Sequence, residues 1–72
     1  MESFHERITL LRKERKIKQK EMANFLGLAL RSYQCYEYGE RLPDFEGLIA
    51  IADFFDVSLD YLVGRSDVRE RR

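Results

Sequence analysis

The segment Gln19–Gly39, QKEMANFLGLALRSYQCYEYG, contains the strongest structural signal in this chain. Met22, Ala23 and Leu26 recur at the spacing of one face of a helix. Gly27 then interrupts the pattern, and a residue free to adopt positive φ lets the chain turn sharply there. A second apolar helical pattern follows the glycine. The segment therefore predicts two short helices that cross steeply at a glycine turn, which is a helix-turn-helix unit.

Three further helices are predicted around this unit. Helix one runs from about Ser3 to Lys16, with Ser3 and Glu6 at the spacing of a capping box. Asp44 is the expected N-cap of helix four, and Ser58 that of helix five. The expected buried stripe of helix four consists of Phe45, Leu48, Ile49, Ala52 and Phe55. The predicted fold class is therefore all-α, a compact bundle of five helices around one core, with residues 1–65 as the domain and residues 66–72 as a charged, frayed tail.

Length and composition exclude several classes of protein. A chain of 72 residues forms one domain, and its single cysteine permits neither an intramolecular disulfide nor a cysteine-rich zinc site. No apolar run reaches the roughly 18–20 residues that span a membrane, and the N-terminus lacks the layout of a signal peptide. We find no glycine-rich phosphate loop, paired catalytic carboxylates or nucleophile–base pair. We therefore expect a cytoplasmic protein that is not an enzyme and has no metal, cofactor or small-molecule ligand.

The charges are balanced overall but unevenly distributed. The formal net charge is zero, which argues mildly against a nucleic-acid partner. Residues 1–20 carry seven basic and three acidic side chains, whereas residues 44–67 carry one basic and six acidic side chains. A molecule with one basic and one acidic end can orient itself in the field of phosphate groups. The alternative is that both segments are simply solvated faces.

The outward face of helix three, about residues 30–38, carries side chains suited to contact bases in a DNA major groove. Arg31 can donate two hydrogen bonds to guanine O6 and N7, and Gln34 can pair with adenine N6 and N7. Leu30 and Cys35 can touch a thymine methyl group. The alternative interpretation is an ordinary solvent-facing stripe.

The chain resembles the Cro/repressor-type helix-turn-helix proteins, the family of the phage repressors and of the xenobiotic-response-element-like bacterial regulators. The matching residues are Ile8, Leu11, Arg12, Gln19, Met22, Ala23, Leu26, Gly27, Tyr36, Glu37, Gly39, Pro43, Leu48, Ala52 and the run VSLDYL at 57–62. The resemblance covers about residues 4–64. It implies a lambda-repressor-like domain that binds double-stranded DNA through helix three.

The resemblance also assigns roles to individual residues. It implies that the positions of Leu30, Arg31 and Cys35 contact bases and that Gln19 grips a phosphate. The phosphate candidates together are Arg12, Gln19, Lys20, Arg41 and the backbone N–H of Tyr38. Arg12 and Glu37 are expected to form a buried ion pair between helix one and the end of helix three.

The chain departs from the family pattern at several of these positions. Ala29 stands where the family usually has a Ser or Thr N-cap, and Tyr38 stands where it often has Asn. Glu40 and Leu42 stand where basic residues are common. Leu30 and Cys35 are less polar than usual. The departures at Tyr38, Glu40 and Leu42 imply a weaker phosphate grip or a stronger need for dimerisation. Those at Leu30 and Cys35 imply fewer hydrogen bonds to bases and more apolar contact.

The function expected from these features is sequence-specific DNA binding by a transcriptional regulator, a repressor that acts as a homodimer on an inverted repeat. The dimer is expected to form through helices four and five, using whichever of Phe54, Tyr61, Leu62 and Val63 remain exposed; simple core packing is the alternative. The competing function is a protein-interaction module, an antitoxin or anti-repressor that retains the fold. The zero net charge favours this module slightly, and the salt dependence of DNA binding separates the two.

Overall fold

The computed structural model describes residues 2–71, and these residues contain five α-helices and no strand. The helices are α1 (Phe4–Glu14), α2 (Gln19–Leu26), α3 (Leu30–Glu37), α4 (Phe45–Phe55) and α5 (Leu59–Leu62). The predicted all-α, five-helix architecture is confirmed. Met1 and Arg72, at the two ends of the predicted segments, lie outside the described residues. Within residues 2–71, no helix combines the length and the apolar character needed to cross a bilayer.

Local hydrogen bonds define where several helices begin. Glu6 Oε1 accepts from the backbone N–H of Ser3 at 3.1 Å. Asp44 Oδ1 accepts from the N–H of Gly47 at 2.8 Å, and Ser58 Oγ accepts from the N–H of Tyr61 at 3.0 Å. These bonds satisfy backbone donors that a helix N-terminus otherwise leaves without a partner. The expected N-caps of α1, α4 and α5 are thus confirmed.

The turn between α2 and α3 has the predicted glycine geometry. Gly27 adopts φ 70°, and the N–H of Leu28 donates to the carbonyl of Ala23 at 2.8 Å. α3 begins at Leu30, although Ala29 supplies no side-chain cap. Its position is fixed instead by packing, because Tyr33 is completely buried in the core.

The core draws on every helix. Its buried apolar residues are Phe4, Ile8, Leu11, Met22, Ala23, Tyr33, Ile51, Ala52, Phe55, Val57, Tyr61 and Leu62. In α4 the predicted stripe is partly wrong, because Phe45 and Ile49 are 68% and 38% exposed while Ile51 is buried. The segment FEGLIAIADFF is apolar on nearly all sides, so its periodicity does not select one face.

Arg7 is almost completely buried, at 2% exposure, which the sequence did not predict. Its Nη1 donates to the carbonyls of Tyr61 at 2.9 Å and Ser66 at 2.6 Å. Its Nη2 donates to Asp67 Oδ1 at 2.8 Å, and its guanidinium lies 4.1 Å from the centre of the Tyr61 ring. Arg7 therefore holds the segment that follows α5 against α1.

The tail that was expected to be frayed instead makes specific contacts over residues 66–71. Arg69 donates to both carboxylate oxygens of Glu14, at 2.9 and 2.8 Å, and its carbonyl accepts from the N–H of Ser58 at 2.8 Å. Arg71 pairs with Asp53. Each of these two arginines therefore has an acidic partner, Glu14 on α1 or Asp53 on α4.

The start of the chain also meets this segment. Gly64, just after α5, adopts φ 85°. A Cβ atom on Gly64 would stand 2.5 Å from the carbonyl oxygen of Glu2. Glycine is therefore required here both by the backbone conformation and by the lack of space.

Candidate nucleic-acid interface

The four residues predicted to contact bases all keep solvent-accessible surface on α3. Leu30 and Arg31 are exposed, whereas Gln34 and Cys35 are half-buried. The opposite face of the helix packs against α1 and α2. α3 is thus a rod with one side anchored and the other open to a partner.

Arg31 is the most accessible of these four residues, with a side chain that is 69% exposed. Its Nη2 lies 3.4 Å from Oε1 of Glu40, a carboxylate that is itself half exposed. Exposed ion pairs contribute only about 0–1 kcal/mol. Arg31 can therefore leave Glu40 for a stronger acceptor at little cost.

The inner face of α3 ends at the buried carboxylate of Glu37, whose side chain is 2% exposed. It accepts from Arg12 Nε at 2.5 Å and Arg12 Nη2 at 3.0 Å, so the ion pair that the resemblance implies is present. Tyr33 Oη also donates to it at 2.5 Å, and Gln19 Nε2 donates at 3.0 Å. Burial acts to raise the pKa of Glu37, but these hydrogen bonds outweigh it and lower the pKa. Glu37 is therefore a charged acceptor.

Arg12 and Tyr33 are held as donors to this carboxylate. Burial and the bond to Glu37 raise the pKa of Tyr33, so its phenol keeps the proton it donates. Arg12 Nη1 donates to the carbonyl of Ile17 at 2.8 Å, which fixes the connector between α1 and α2. Three of the five guanidinium N–H groups are thus used within the protein. Only the remaining two could reach a phosphate.

Gln19 joins the carboxylate to the open face of α3. Its Oε1 accepts from Gln34 Nε2 at 3.1 Å, a contact that the sequence did not predict. The two residues are far apart in the chain, and helical periodicity says nothing about distances between helices. Gln19 and the exposed Lys20 form the first turn of α2, where free N–H groups and the helix dipole favour an anion.

The other two phosphate candidates follow α3. The N–H of Tyr38 donates to the carbonyl of Gln34 at 2.9 Å, so this donor is used to close the helix. The expectation that it is free for a phosphate is therefore corrected, and only the half-exposed side chain of Tyr38 could take that role. Arg41 lies in the exposed loop after α3.

The charges are less polarised than the sequence indicates. Arg7 pairs with Asp67, and Arg71 pairs with Asp53, so arginines from α1 and from the tail neutralise part of the acidic surplus of residues 44–67. The lysines at 16, 18 and 20, in the connector and first turn of α2, stay exposed. Because Arg7 and Arg12 are themselves paired with carboxylates, the basic end also carries less unpaired charge than the sequence indicates, and both ends are less polarised.

The exposed apolar surface only partly matches the predicted dimer surface, of which Phe54 and Val63 are half-buried. Tyr61 and Leu62 are core residues, at 5% and 0% exposure, so they cannot form it. The large apolar side chains exposed around α4 are instead Leu42 (70%), Phe45 (68%) and Ile49 (38%), which we term the α4 patch. Leu42 gives no helical signal because it lies in a loop.

Comparison with known proteins places this arrangement in a family. The helix-turn-helix family profile matches residues 8–62. The chain is 45% identical over 60 residues to the helix-turn-helix-type transcriptional regulator YqaE of Bacillus subtilis, covering 83% of the chain and 52% of that protein. It is also 45% identical over 60 residues to the cryptic phage CTXphi transcriptional repressor RstR of Vibrio cholerae, covering 83% and 54%. The chain thus spans about half the length of these relatives.

Two solved structures have the same architecture. A transcriptional regulator from Listeria innocua superposes with a TM-score of 0.83 at 39% identity, covering 86% of this chain and 58% of that one. The P22 c2 repressor in complex with a synthetic operator superposes with a TM-score of 0.81 at 29% identity, covering 92% and 100%.

Proposed function

Because the chain belongs to the helix-turn-helix family, we propose that it is a sequence-specific DNA-binding transcriptional regulator that acts as a repressor. The observation that carries the proposal is the geometry of α3, which is anchored through Tyr33 and Glu37 and open along the side of Leu30 and Arg31. An isolated helix of eight residues would be unstable in water, so this anchoring is what makes α3 a rigid element for recognition.

In the proposed complex, α3 enters the major groove, which is about 12 Å wide and admits a helix. Arg31 exchanges its exposed partner Glu40 for guanine O6 and N7. Gln34 pairs with adenine, and the apolar surfaces of Leu30 and Cys35 contact thymine methyl groups. The base contacts supply specificity.

Contacts to phosphates supply orientation and most of the affinity. Gln19 and Lys20 would bind one phosphate at the N-terminus of α2, and Arg41 would bind another beyond α3. Arg12 offers its two remaining N–H groups, and Tyr38 offers its phenol. Glu40 lies among these groups and opposes them with its negative charge, which agrees with the weaker grip expected from the sequence.

We further propose that two copies bind an inverted repeat, with half-sites about 34 Å apart. The α4 patch is the proposed contact, since a two-fold axis brings the same surface of both copies together. Occupying a promoter in this way represses without catalysis, and the proposed place of action is the cytoplasm.

The test is selection of bound sites from a random duplex library, followed by titration at several salt concentrations. We expect one symmetric site and a logarithm of affinity that falls steeply with the logarithm of salt concentration. Arg31→Ala should lose discrimination at one guanine per half-site, by about 1–3 kcal/mol. Arg65→Ala, which removes the same charge from an exposed position after α5, is the matched control and should keep the preference.

The proposal fails if the protein binds no duplex at low salt or if its binding does not respond to salt. That result would favour the protein-interaction module, in which the α4 patch and the apolar side of α3 meet a protein partner.

A further inference from the structure

A continuous set of hydrogen bonds runs from the buried end of α3 to its open face. Glu37 Oε1 accepts from Gln19 Nε2 at 3.0 Å, and Gln19 Oε1 accepts from Gln34 Nε2 at 3.1 Å. At its inner end, Arg12 and Tyr33 hold the carboxylate in place. The set therefore connects the buried carboxylate of Glu37, which touches no DNA in the proposed complex, to a proposed base-contacting side chain.

The direction of these bonds is fixed by chemistry. An ionised carboxylate only accepts hydrogen bonds, so the group that Gln19 turns toward Glu37 must be its NH2. The carbonyl oxygen of the Gln19 amide is then the atom that faces Gln34. Because that oxygen also only accepts, Gln34 must turn its own NH2 toward Gln19. One N–H of Gln34 is used in this way, while its Oε1 and its second N–H remain for another partner.

We propose that Glu37 and Gln19 act as positioning residues that hold the amide of Gln34 in one orientation and thereby set its preference for adenine. This inference rests on the proposed function. A held amide offers one acceptor and one donor side by side, which match adenine N6–H and N7. A Gln34 amide that Gln19 does not hold can rotate freely. It can then present only its NH2 group to the acceptors of guanine, or only its carbonyl oxygen to the amino group of cytosine.

The proposal separates specificity from affinity at Gln19. The second N–H of Gln19 is free for a phosphate, so variants at this position will also weaken binding to every duplex. A role confined to phosphate binding lowers affinity equally for all sequences. The amide-orienting role changes the base preference at a single position in each half-site, and only at that position.

The experiment compares selected-site profiles of the wild type, Gln34→Ala, Gln19→Met and Lys20→Ala on a random duplex library. Gln34→Ala identifies the position at which Gln34 acts. Gln19→Met keeps the length of the side chain without its amide, and it should reduce the adenine preference at that position about tenfold while the other positions keep theirs. Lys20→Ala, one residue away and outside the set of bonds, should weaken all sequences alike and reduce the salt slope by about 1.

Gln19→Asn provides a second variant in case the methionine perturbs folding. It retains an amide but is one methylene too short to bridge Glu37 and Gln34, and the same loss of adenine preference is expected. An unchanged preference in both variants, with the wild type selecting a site, overturns this inference and leaves the proposed function intact. A wild type without any base preference overturns both.

Discussion

Two arginines of α1, Arg7 and Arg12, differ in their binding partners and in whether the sequence predicts those partners. Arg12 and Arg7 lie five residues apart, about 140° around the helix, so they face different parts of the molecule. Arg12 binds a carboxylate, Glu37, whose side chain is 2% exposed. Arg7 binds two main-chain carbonyls and Asp67, whose side chain is 78% exposed.

The difference indicates that the stability lost on removing an arginine depends less on the burial of the arginine than on the burial of its partner. Removing Arg12 or Glu37 leaves an opposite charge without compensation inside the protein. Removing Arg7 leaves only neutral carbonyls unpaired, because Asp67 can return to water. The Arg12 contact lies within the family match at residues 8–62, while Arg7 and its partners Ser66 and Asp67 lie outside it.

The largest effect is expected from Glu37→Ala. It removes the common acceptor of Arg12, Tyr33 and Gln19 and leaves a buried guanidinium unpaired, which costs about 3–5 kcal/mol of unfolding free energy. Chemical denaturation of the variant and the wild type measures the loss. A change in melting temperature of only a degree or two would contradict the assigned importance of this pair.

A smaller effect is expected from Arg7→Met, which keeps an apolar chain of similar length. Unpaired carbonyls cost about 1–3 kcal/mol each when they stay buried, and here the tail can detach and expose Ser66 to water. We expect a loss of about 1–3 kcal/mol and faster amide exchange at Ser58, whose N–H donates to the carbonyl of Arg69. Asp67→Asn should change stability by less than about 1 kcal/mol. A greater loss for Arg7→Met than for Glu37→Ala would reverse the comparison.

The smallest predicted effect is a pH dependence of the free energy of unfolding, and it comes from the ion pair of Arg12 and Glu37. The pKa of Glu37 is lowered in the fold from an ordinary 4.5. Its contribution is therefore complete above pH 4.5 and is lost as the pH falls through the folded pKa. Glu6 and Glu14 also have lowered pKa values, so the informative quantity is the difference between the wild type and Glu37→Gln, which should shrink in acid. Arg7→Met retains Glu37 and should keep the acid-dependent loss; a constant difference would contradict this assignment.

Much of the fold could be predicted because its signals are local. Capping residues such as Asp44 and Ser58, and the glycine at position 27, act on the backbone within a few residues of themselves. The buried side of α4 could not be predicted, because its apolar residues surround the helix and only contacts with other helices decide which are covered. For this reason Phe45, which was expected to be buried, is exposed, and Ile51, which was not in the expected stripe, is buried.

The same contrast between local signals and contacts between distant residues applies to the candidate site. The outward placement of Arg31 follows from the helical period once Tyr33 and Tyr36 are assigned to the inner side. The contact of Gln19 with Gln34 depends on the distance between two helices, and the burial of Arg7 depends on carbonyl groups that every residue carries. No residue type marks such partners in a sequence.

The close approach of Gly64 to Glu2 brings the segment before α1 and the segment after α5 into contact, and we expect them to open locally as one unit. Because the carbonyl of Glu2 fills the space beside Gly64 and Arg7 reaches Ser66, we expect the segments around Glu2 and around Ser66 to loosen together. Their amide hydrogens should therefore exchange with a shared free energy of opening, below that of the interior helices. A corner of this kind can fray while α3 remains intact.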